Sequence, residues 1–443
     1  MGEPQPITVV GAGLAGCEAA LQLARRGLAV ELLEMKPARY SPAHHLPGPA
    51  ELVCSNSLKS DDPDTAHGLL KQELRRLGSG LLEAAQRARV PAGTALAVDR
   101  QRLCGEMQEI LARQPGIRFR PGAYIEAPPA GTVILATGPL TEGGLAEFLR
   151  QASGDELLHF FDALAPIVSA DSLDREVIFA GSRWGRGADE EYLNCPLEEA
   201  DYRRFVEALL AEEPARRHDF EEARFFEGCL PIEEMARRGP DTLAFGPMRP
   251  VGLRRAGRRP FAVVQLRAEN AARTAFNLVG FQTRLSPAGQ RRVFRLIPGL
   301  SRVEFLRYGA MHRNLYLDAP RLLDDGLRLR VCPRVRPAGQ ITGVEGYVES
   351  AAVGLLTGRM LADELQGRAP RPPPPETALG ALYGHLRARL GAPTFEPMNI
   401  HFGLLPPAPQ ARREARRAEM LRRAREALDR WLAEAGAEGE RHV

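Results

Sequence analysis

The sequence predicts an α/β fold: a doubly wound, Rossmann-like dinucleotide-binding domain interrupted by a mixed α/β insertion. Three observations predict it. A buried-type strand, a Gly-rich turn and a helix open the chain at Ile7 to Ala24. A second strand–turn–helix unit stands near the other end, at residues 339–365. Between them, from about residue 165, the pattern changes to short strands around a charged helix. The expected division is 1–165 and 296–443 for the two parts of the first domain, with helices at its C-terminal end, and 166–295 for the insertion.

The opening unit carries Gly11-Ala12-Gly13-Leu14-Ala15-Gly16 after the strand Ile7 to Val10. Gly11 allows the tight turn, Gly13 lets a pyrophosphate approach the backbone, and Gly16 lets the helix pack on the strand. The free N–H groups of that helix start then face the phosphates. A second apolar strand, Ala29 to Leu33, ends in Glu34, at the distance expected for a carboxylate that binds a ribose hydroxyl.

Residues 41–68 form a loop too long for a simple connector, with Cys54-Ser55-Asn56-Ser57 at its centre, and such loops are often functional. Leu69, Leu70, Leu74 and Leu77 share one helix face. Ala95 to Val98 reads as a strand, and Asp99 as the cap of a helix carrying Leu103, Met107, Ile110 and Leu111. Thr132 to Ala136 is a further apolar strand ending in Thr137-Gly138.

In the insertion, strands are expected at 166–169, 177–180, 261–266 and 277–283, around a helix at 197–213. The doubly wound pattern resumes with a strand at Leu327 to Val331 and the turn Gly339 to Tyr347, which includes Gly343 and Gly346. A helix then runs from about Val348 to Leu365. Two glycine turns suit a long dinucleotide held at both ends: FAD, with its pyrophosphate at the first and its ribityl chain or flavin ring at the second. Pro372 to Pro375 is a stiff spacer. The last helix, about 410–433, carries Arg412, Arg413, Arg416, Arg417, Arg422, Arg423 and Arg425, and Met420, Leu421, Ala424, Leu428 and Trp431 at helical spacing should dock it. Its basic side reads as a solvated face or as a phosphate-contacting surface.

Composition narrows the class. Hydrophobic content of 44% with 26% charged residues is ordinary for a globular protein. No apolar run approaches a membrane span, and a first strand at Ile7 leaves no room for a signal peptide, so a cytoplasmic protein is expected. The net charge of +3 does not by itself predict nucleic-acid binding, but Lys36, Lys59 and Lys71 are the only lysines, so nearly all positive charge is arginine. The six cysteines show neither a CxxC nor metal-ligand spacing, so neither disulfides nor a metal site is expected.

Two cysteines stand out chemically. Cys229 precedes Pro231, a residue suited to a first helical position, and a helix start lowers a thiol pKa, whereas Glu227, Glu233 and Glu234 oppose this unless they point away. Cys54 lies among small polar residues. On residue chemistry alone each is either packed or reactive. Arg307-Tyr308-Gly309-Ala310-Met311-His312-Arg313-Asn314 groups the side chains that stack on flat heterocycles and hold carboxylates.

At these residues the chain resembles the folate- and FAD-dependent tRNA (uracil-5-)-methyltransferase family, TrmFO. The matching blocks are GAGLAGCEAA, ELVCSNSLKS, FEGCLPIEEMARRGPDTLAFGPMRPVGL, GFQTRL, RVFRLIPGL, RYGAMHRN and ITGVEGYVESAAVGLLTGRM, covering most of the chain to about residue 405. Departures are small: Lys36 and Arg249 exchange one cation for another, His401 replaces an asparagine, and Leu315-Tyr316 replaces Thr-Phe. The resemblance implies methylation of carbon 5 of the T-loop uridine of tRNA. The carbon donor is 5,10-methylenetetrahydrofolate, reduced FAD is the reductant, and NADH or NADPH re-reduces the flavin. It implies Cys229 as nucleophile at uracil carbon 6, Cys54 as a second catalytic thiol, and His312 stacked on the pterin. FAD would be held by Gly11, Ala12, Gly13, Leu14, Ala15, Gly16, Glu34, Thr137, Gly138, Gly343, Gly346 and Tyr347. The target uridine would be extruded or its loop reshaped, with the tRNA phosphates held by basic side chains, among them Arg254, Arg255, Arg258 and Arg259 and those of the last helix. The rival readings are the related FAD protein that modifies wobble uridines and a flavin oxidoreductase of small metabolites without an RNA role.

Overall fold

The computed structural model describes residues 7–154, 157–183, 192–213, 230–388, 395–408, 412 and 415–439. Five short strands, β1 (Ile7–Val10), β2 (Val30–Glu34), β3 (Ile117–Pro121), β4 (Val133–Leu135) and β5 (Val335–Pro337), pair in parallel in the order β5-β4-β1-β2-β3. The chain leaves β1 toward β2 on one side and reaches β4 on the other. The crevice at the carboxyl end of β1 is therefore the switch point where such sheets bind ligands.

One expected strand is displaced. The alternating run Leu327 to Val331 does not join the sheet: Leu327 has a φ of 58° and Leu329 bridges back to Leu323 and Cys332. Turning the run on itself buries both leucines without extending the chain. The sheet edge is instead Val335–Pro337, where Pro337, lacking an N–H, is tolerated because the strand has a neighbour on one side only.

Two helices cross the site. Every residue of α1 (Leu14–Ala24) is buried, and it lies alongside α2 (Tyr347–Leu365). The contact is backbone-close: a Cβ on Gly354 would stand 2.1 Å from the Ala15 carbonyl oxygen, and one on Gly358 2.7 Å from that of Ala19. Ala15 meets Gly354 and Ala19 meets Gly358, so the helices run parallel and both begin at the crevice end of the sheet.

The insertion is a six-stranded antiparallel sheet in the order Phe179–Ala180, Tyr192–Leu197, Ala262–Ala268, Ala275–Leu278, Ile167–Ser169, Phe305–Arg307. The helix Glu199–Ala211 packs on it through Tyr202, Phe205 and Leu209, in a core of its own that runs from Val168 to Val303. The two chain crossings share one antiparallel ribbon, Leu158–Ala163 with Met311–Tyr316, in which His312 faces Asp162.

The C-terminal helix, Arg416–Gly439, docks through Leu421, Ala424, Leu428 and Trp431, as the spacing predicts. Its arginines are engaged locally. Arg422 pairs with Glu419 and Glu426, Arg425 with Asp64, and Arg417 lies over the Phe402 ring. Among the described residues no helix is long and apolar enough to cross a membrane.

Candidate active site

A cleft enclosing about 1200 Å³, open solvent at its mouth included, lies at the switch point. It runs from Glu34, Met35 and Tyr124 past Gly11 to Ala15 and Thr137-Gly138, and ends at Gly339, Gln340 and Tyr347. The three glycines of the opening motif have separate tasks. A Cβ on Gly16 would lie 1.8 Å from the Gly11 carbonyl oxygen, and one on Gly11 2.5 Å from that of Ala136. Gly13 alone has open space where a side chain would be. It caps α1 without a side-chain hydrogen bond, so the first amides of a fully buried helix point at a cradle shaped for a phosphate.

Glu34 braces this turn. Its buried carboxylate accepts the Ala12 N–H at 2.8 Å and the Lys36 N–H at 3.0 Å, leaving one acceptor position on each oxygen toward the cleft it lines. Lys36 is buried too, bonded to Glu51 at 3.1 Å and to the Gly48 carbonyl at 2.7 Å, which ties the long loop down over the cleft. Neighbouring His44 is pushed down to about 4 by burial and by the Lys36 charge.

The second helix start differs from the first. The amino end of α2 is occupied by its own Glu349, whose carboxylate pairs with Lys59 and His67 and accepts the Ile400 N–H. Burial raises this carboxyl, but the Lys59 charge and the hydrogen bond from His67 outweigh it and hold it at about 2. With this helix start already filled by a carboxylate, it offers a second phosphate no free end, and an uncharged part of a ligand fits. Gly339 and Gln340 line this end, whereas Gly343 and Gly346 shape the turn behind it, and Gly343 meets Phe395 and His385. Gly339 and Gln340 belong to the second glycine turn that the sequence marks, whereas the lining roles of Lys36, His44 and Glu51 have no such signal.

Cys54, half-buried, sits against Tyr347: sulfur to phenol oxygen is 2.8 Å. Burial and then Asp162 push this thiol up to about 12. Three arginines surround it. Arg100 pairs with Glu269 at 3.0 Å, Arg267 bonds Asn56 at 2.7 Å and Ser55 at 2.8 Å, and Arg307 stands toward His312. The Nε and Nη2 atoms of Arg307 are buried without a hydrogen-bond partner among the described residues. His312 is half-buried, and burial, then Arg307 and His45, keep its imidazole neutral below the usual range.

Cys229 lies outside the described residues. The segment that follows it is firmly held. Leu230 is buried, the Ile232 N–H bonds the Gln282 carbonyl at 2.7 Å, and Glu233 accepts from Thr283 at 3.0 Å and from the Arg284 N–H at 2.8 Å. Glu233 and Glu234 are thus committed to Thr283, Arg284 and Arg237. The helix begins at Ile232, with Pro231 as its cap and not its first residue, because the Pro231 ψ of 142° is extended; at six residues it exerts little dipole. Thr283 in turn touches Gly309, whose N–H and carbonyl are both bonded by the Gln290 amide, next to the His312 strand. Arg254, Arg255, Arg258 and Arg259 stand exposed on a turn of the insertion. Among the described residues no cluster of His, Cys, Asp or Glu is arranged to hold a metal ion.

A free helix start over a void at Gly13, a long cleft and a thiol at its far end define a dinucleotide-binding α/β enzyme interrupted by a second sheet. The profile of the glucose inhibited division protein A family matches residues 6–369. The fold is that of Aquifex aeolicus GidA, whose form II crystal structure superposes with a TM-score of 0.67 at 17% identity over 96% of this chain and 73% of that one. The Methylenetetrahydrofolate--tRNA-(uracil-5-)-methyltransferase TrmFO of Geobacter sulfurreducens is 54% identical over 96% of this chain and 99% of its own length. That of Anaeromyxobacter dehalogenans is 55% identical over 96% of each. The chain belongs to the glucose inhibited division protein A family, among its TrmFO members.

The void at Gly13 yields a clean test. Gly13 has φ −72° and no neighbour within 4 Å of an added Cβ, so Gly13→Val should fold with unchanged circular dichroism. It should lose dinucleotide occupancy at least about tenfold, the loss expected when one charge-assisted phosphate contact goes, read from cofactor absorbance of the purified protein. Full occupancy would place the pyrophosphate elsewhere.

Proposed function

We propose that this protein methylates carbon 5 of a uridine in tRNA, with 5,10-methylenetetrahydrofolate as carbon donor and FAD as its flavin cofactor. The observation that carries the reading is the 54% identity, over nearly the whole of both chains, to a relative that bears this activity in its name. The target is the T-loop uridine of the T-arm, and the protein works in the cytoplasm.

The residues present fit FAD. The α1 start and Gly13 would take the pyrophosphate, Glu34 a ribose hydroxyl, Thr137 and Gly138 the wall between, and the turn at Gly343, Gly346 and Tyr347 the flavin end. Bound there in its reduced form, FAD supplies a hydride, and NADH or NADPH restores it. Cys229 is the nucleophile: its thiolate adds to uracil carbon 6 and turns carbon 5 into an enolate carbon that captures the folate's one-carbon unit. With Glu233 and Glu234 bound to Thr283, Arg284 and Arg237, two of the carboxylates that would oppose that thiolate are turned to other partners. Cys54, at the far end of the cleft, moves the proton at carbon 5. His312, neutral and half-buried, offers a flat face to the pterin, and the unpaired N–H groups of Arg307 beside it suit an acceptor on folate or uracil. The exposed arginines at 254, 255, 258 and 259 suit tRNA phosphates.

The decisive experiment incubates unmodified tRNA with the protein, methylenetetrahydrofolate and NAD(P)H, then analyses nucleosides. 5-Methyluridine should appear in the T-loop and vanish when folate is omitted; product at a wobble position, or none dependent on tRNA, would reject the reading. Cys229→Ala should no longer be trapped covalently by a T-arm minihelix bearing 5-fluorouridine, and an adduct that persists would remove Cys229 as nucleophile. His312→Ala should raise the folate KM about tenfold, a loss on the order of 1.4 kcal/mol for one stacking face, with a smaller change in kcat. An unchanged KM would put the pterin elsewhere.

A further inference from the structure

We propose that Tyr347 is a positioning residue for Cys54: its phenol hydrogen is given to the sulfur, which fixes the direction in which the thiol exchanges a proton with substrate. The inference rests on the reading of Cys54 as a catalytic thiol.

Tyr347 is the first residue of α2 and follows Gly346, whose φ of 113° turns the chain into the helix. Its phenol oxygen reaches the long loop at three points: the Cys54 N–H at 2.7 Å, the Ser55 N–H at 3.1 Å and the Cys54 sulfur at 2.8 Å. A phenol oxygen accepts about two hydrogen bonds and donates one. The two amides fill its acceptor positions, so the remaining hydrogen goes to sulfur. Because one amide belongs to Cys54 itself, the oxygen is indexed to the backbone of the residue whose side chain it holds. A tyrosine present only for packing would need neither amide.

This bond acts within a mixed field. Asp162 from the interdomain ribbon and Glu345 from the turn before α2 push the thiol up, as burial does. Arg100, Arg267 and Arg307 face the same sulfur from three other elements and act in the opposite sense. Among the described residues none of those arginines hydrogen-bonds the sulfur; Tyr347 does. When Cys54 is neutral, its S–H is directed away from the phenol. When it acts it does so as the thiolate, its own proton already given to solvent: an S–H bond forms as the C–H bond at uracil carbon 5 breaks, the C–H electron pair stays in the uracil ring, and Tyr347 keeps its own proton on oxygen throughout.

The test reads the thiol and not turnover. Iodoacetamide alkylation of Cys54 is followed by peptide mass spectrometry across the neutral to alkaline range, on protein as purified with its cofactor. Tyr347→Phe should move the onset to higher pH and slow alkylation at a given pH by about tenfold or more, the effect of losing one hydrogen bond to a charged sulfur. A singly ring-fluorinated tyrosine at 347 keeps the shape and is a stronger donor, so it should shift the onset to lower pH and serves if the Phe variant does not fold. Profiles that superpose on the wild type would overturn the proposal. A Cys54→Ser protein that methylates tRNA at the full rate would instead overturn the catalytic reading of the thiol, a result separate from the alkylation profile.

Discussion

The parallel contact between α1 and α2 is the constraint on which the site depends. Two helices approach closely enough for a carbonyl to occupy the place of a side chain only where glycine stands, at Gly354 against Ala15 and Gly358 against Ala19. Because the helices are parallel, their amino ends open on the same crevice, though they come from opposite ends of the chain. The same geometry gives them unequal roles. α1 begins over the void at Gly13 and presents bare amides, whereas the start of α2 is neutralised by Glu349. One cleft thus has only one of its two helix starts open to an anion, which suits a flavin dinucleotide with its pyrophosphate at a single place.

The thiol end is set by a different kind of force. The loop that carries Cys54 seats Ala50, Leu52 and Leu58 in the core and is otherwise held by polar contacts: Lys36 with Glu51, Arg100 with the Leu52 carbonyl, Asn56 with the carbonyls of Val98 and Ala268, and the Tyr347 phenol. Removing one partner of a buried ion pair of this kind costs about 3–5 kcal/mol, since the survivor keeps its desolvation cost without compensation. Asn56 and Arg267 also join the two sheets across the site. The insertion is therefore fastened to the dinucleotide domain at the thiol, as well as through the ribbon that carries His312.

Arginine is abundant everywhere in this chain, and its placement separates structure from recognition. On the last helix the charges are spent on Glu419, Glu426 and Asp64 and on the Phe402 ring, so that face is chiefly a dock. Around Cys54, Arg100 and Arg267 are buried, and each is held by a side chain of the other domain. The exposed turn at residues 254–259 carries the basic groups that face solvent.

Local signals determined much of this. The spacing of Gly11, Gly13 and Gly16 between two apolar strands specified the dinucleotide unit, since each glycine answers a local steric demand. Asp99 as a cap and the docking stripe of the last helix were equally legible, because capping and helical periodicity act within a few residues. The family blocks marked Cys54, Cys229 and His312 as chemistry. What the sequence alone did not decide depended on groups distant in the chain. Leu327 to Val331 has strand alternation, yet a left-handed residue and a backward bridge remove it from the sheet. Nothing local shows that Glu349 closes one helix start, that Lys36 and Glu51 clamp the loop, or that Tyr347 lies against a thiol 293 residues away. Those relations exist only once the glycine contact has brought the two halves of the domain together.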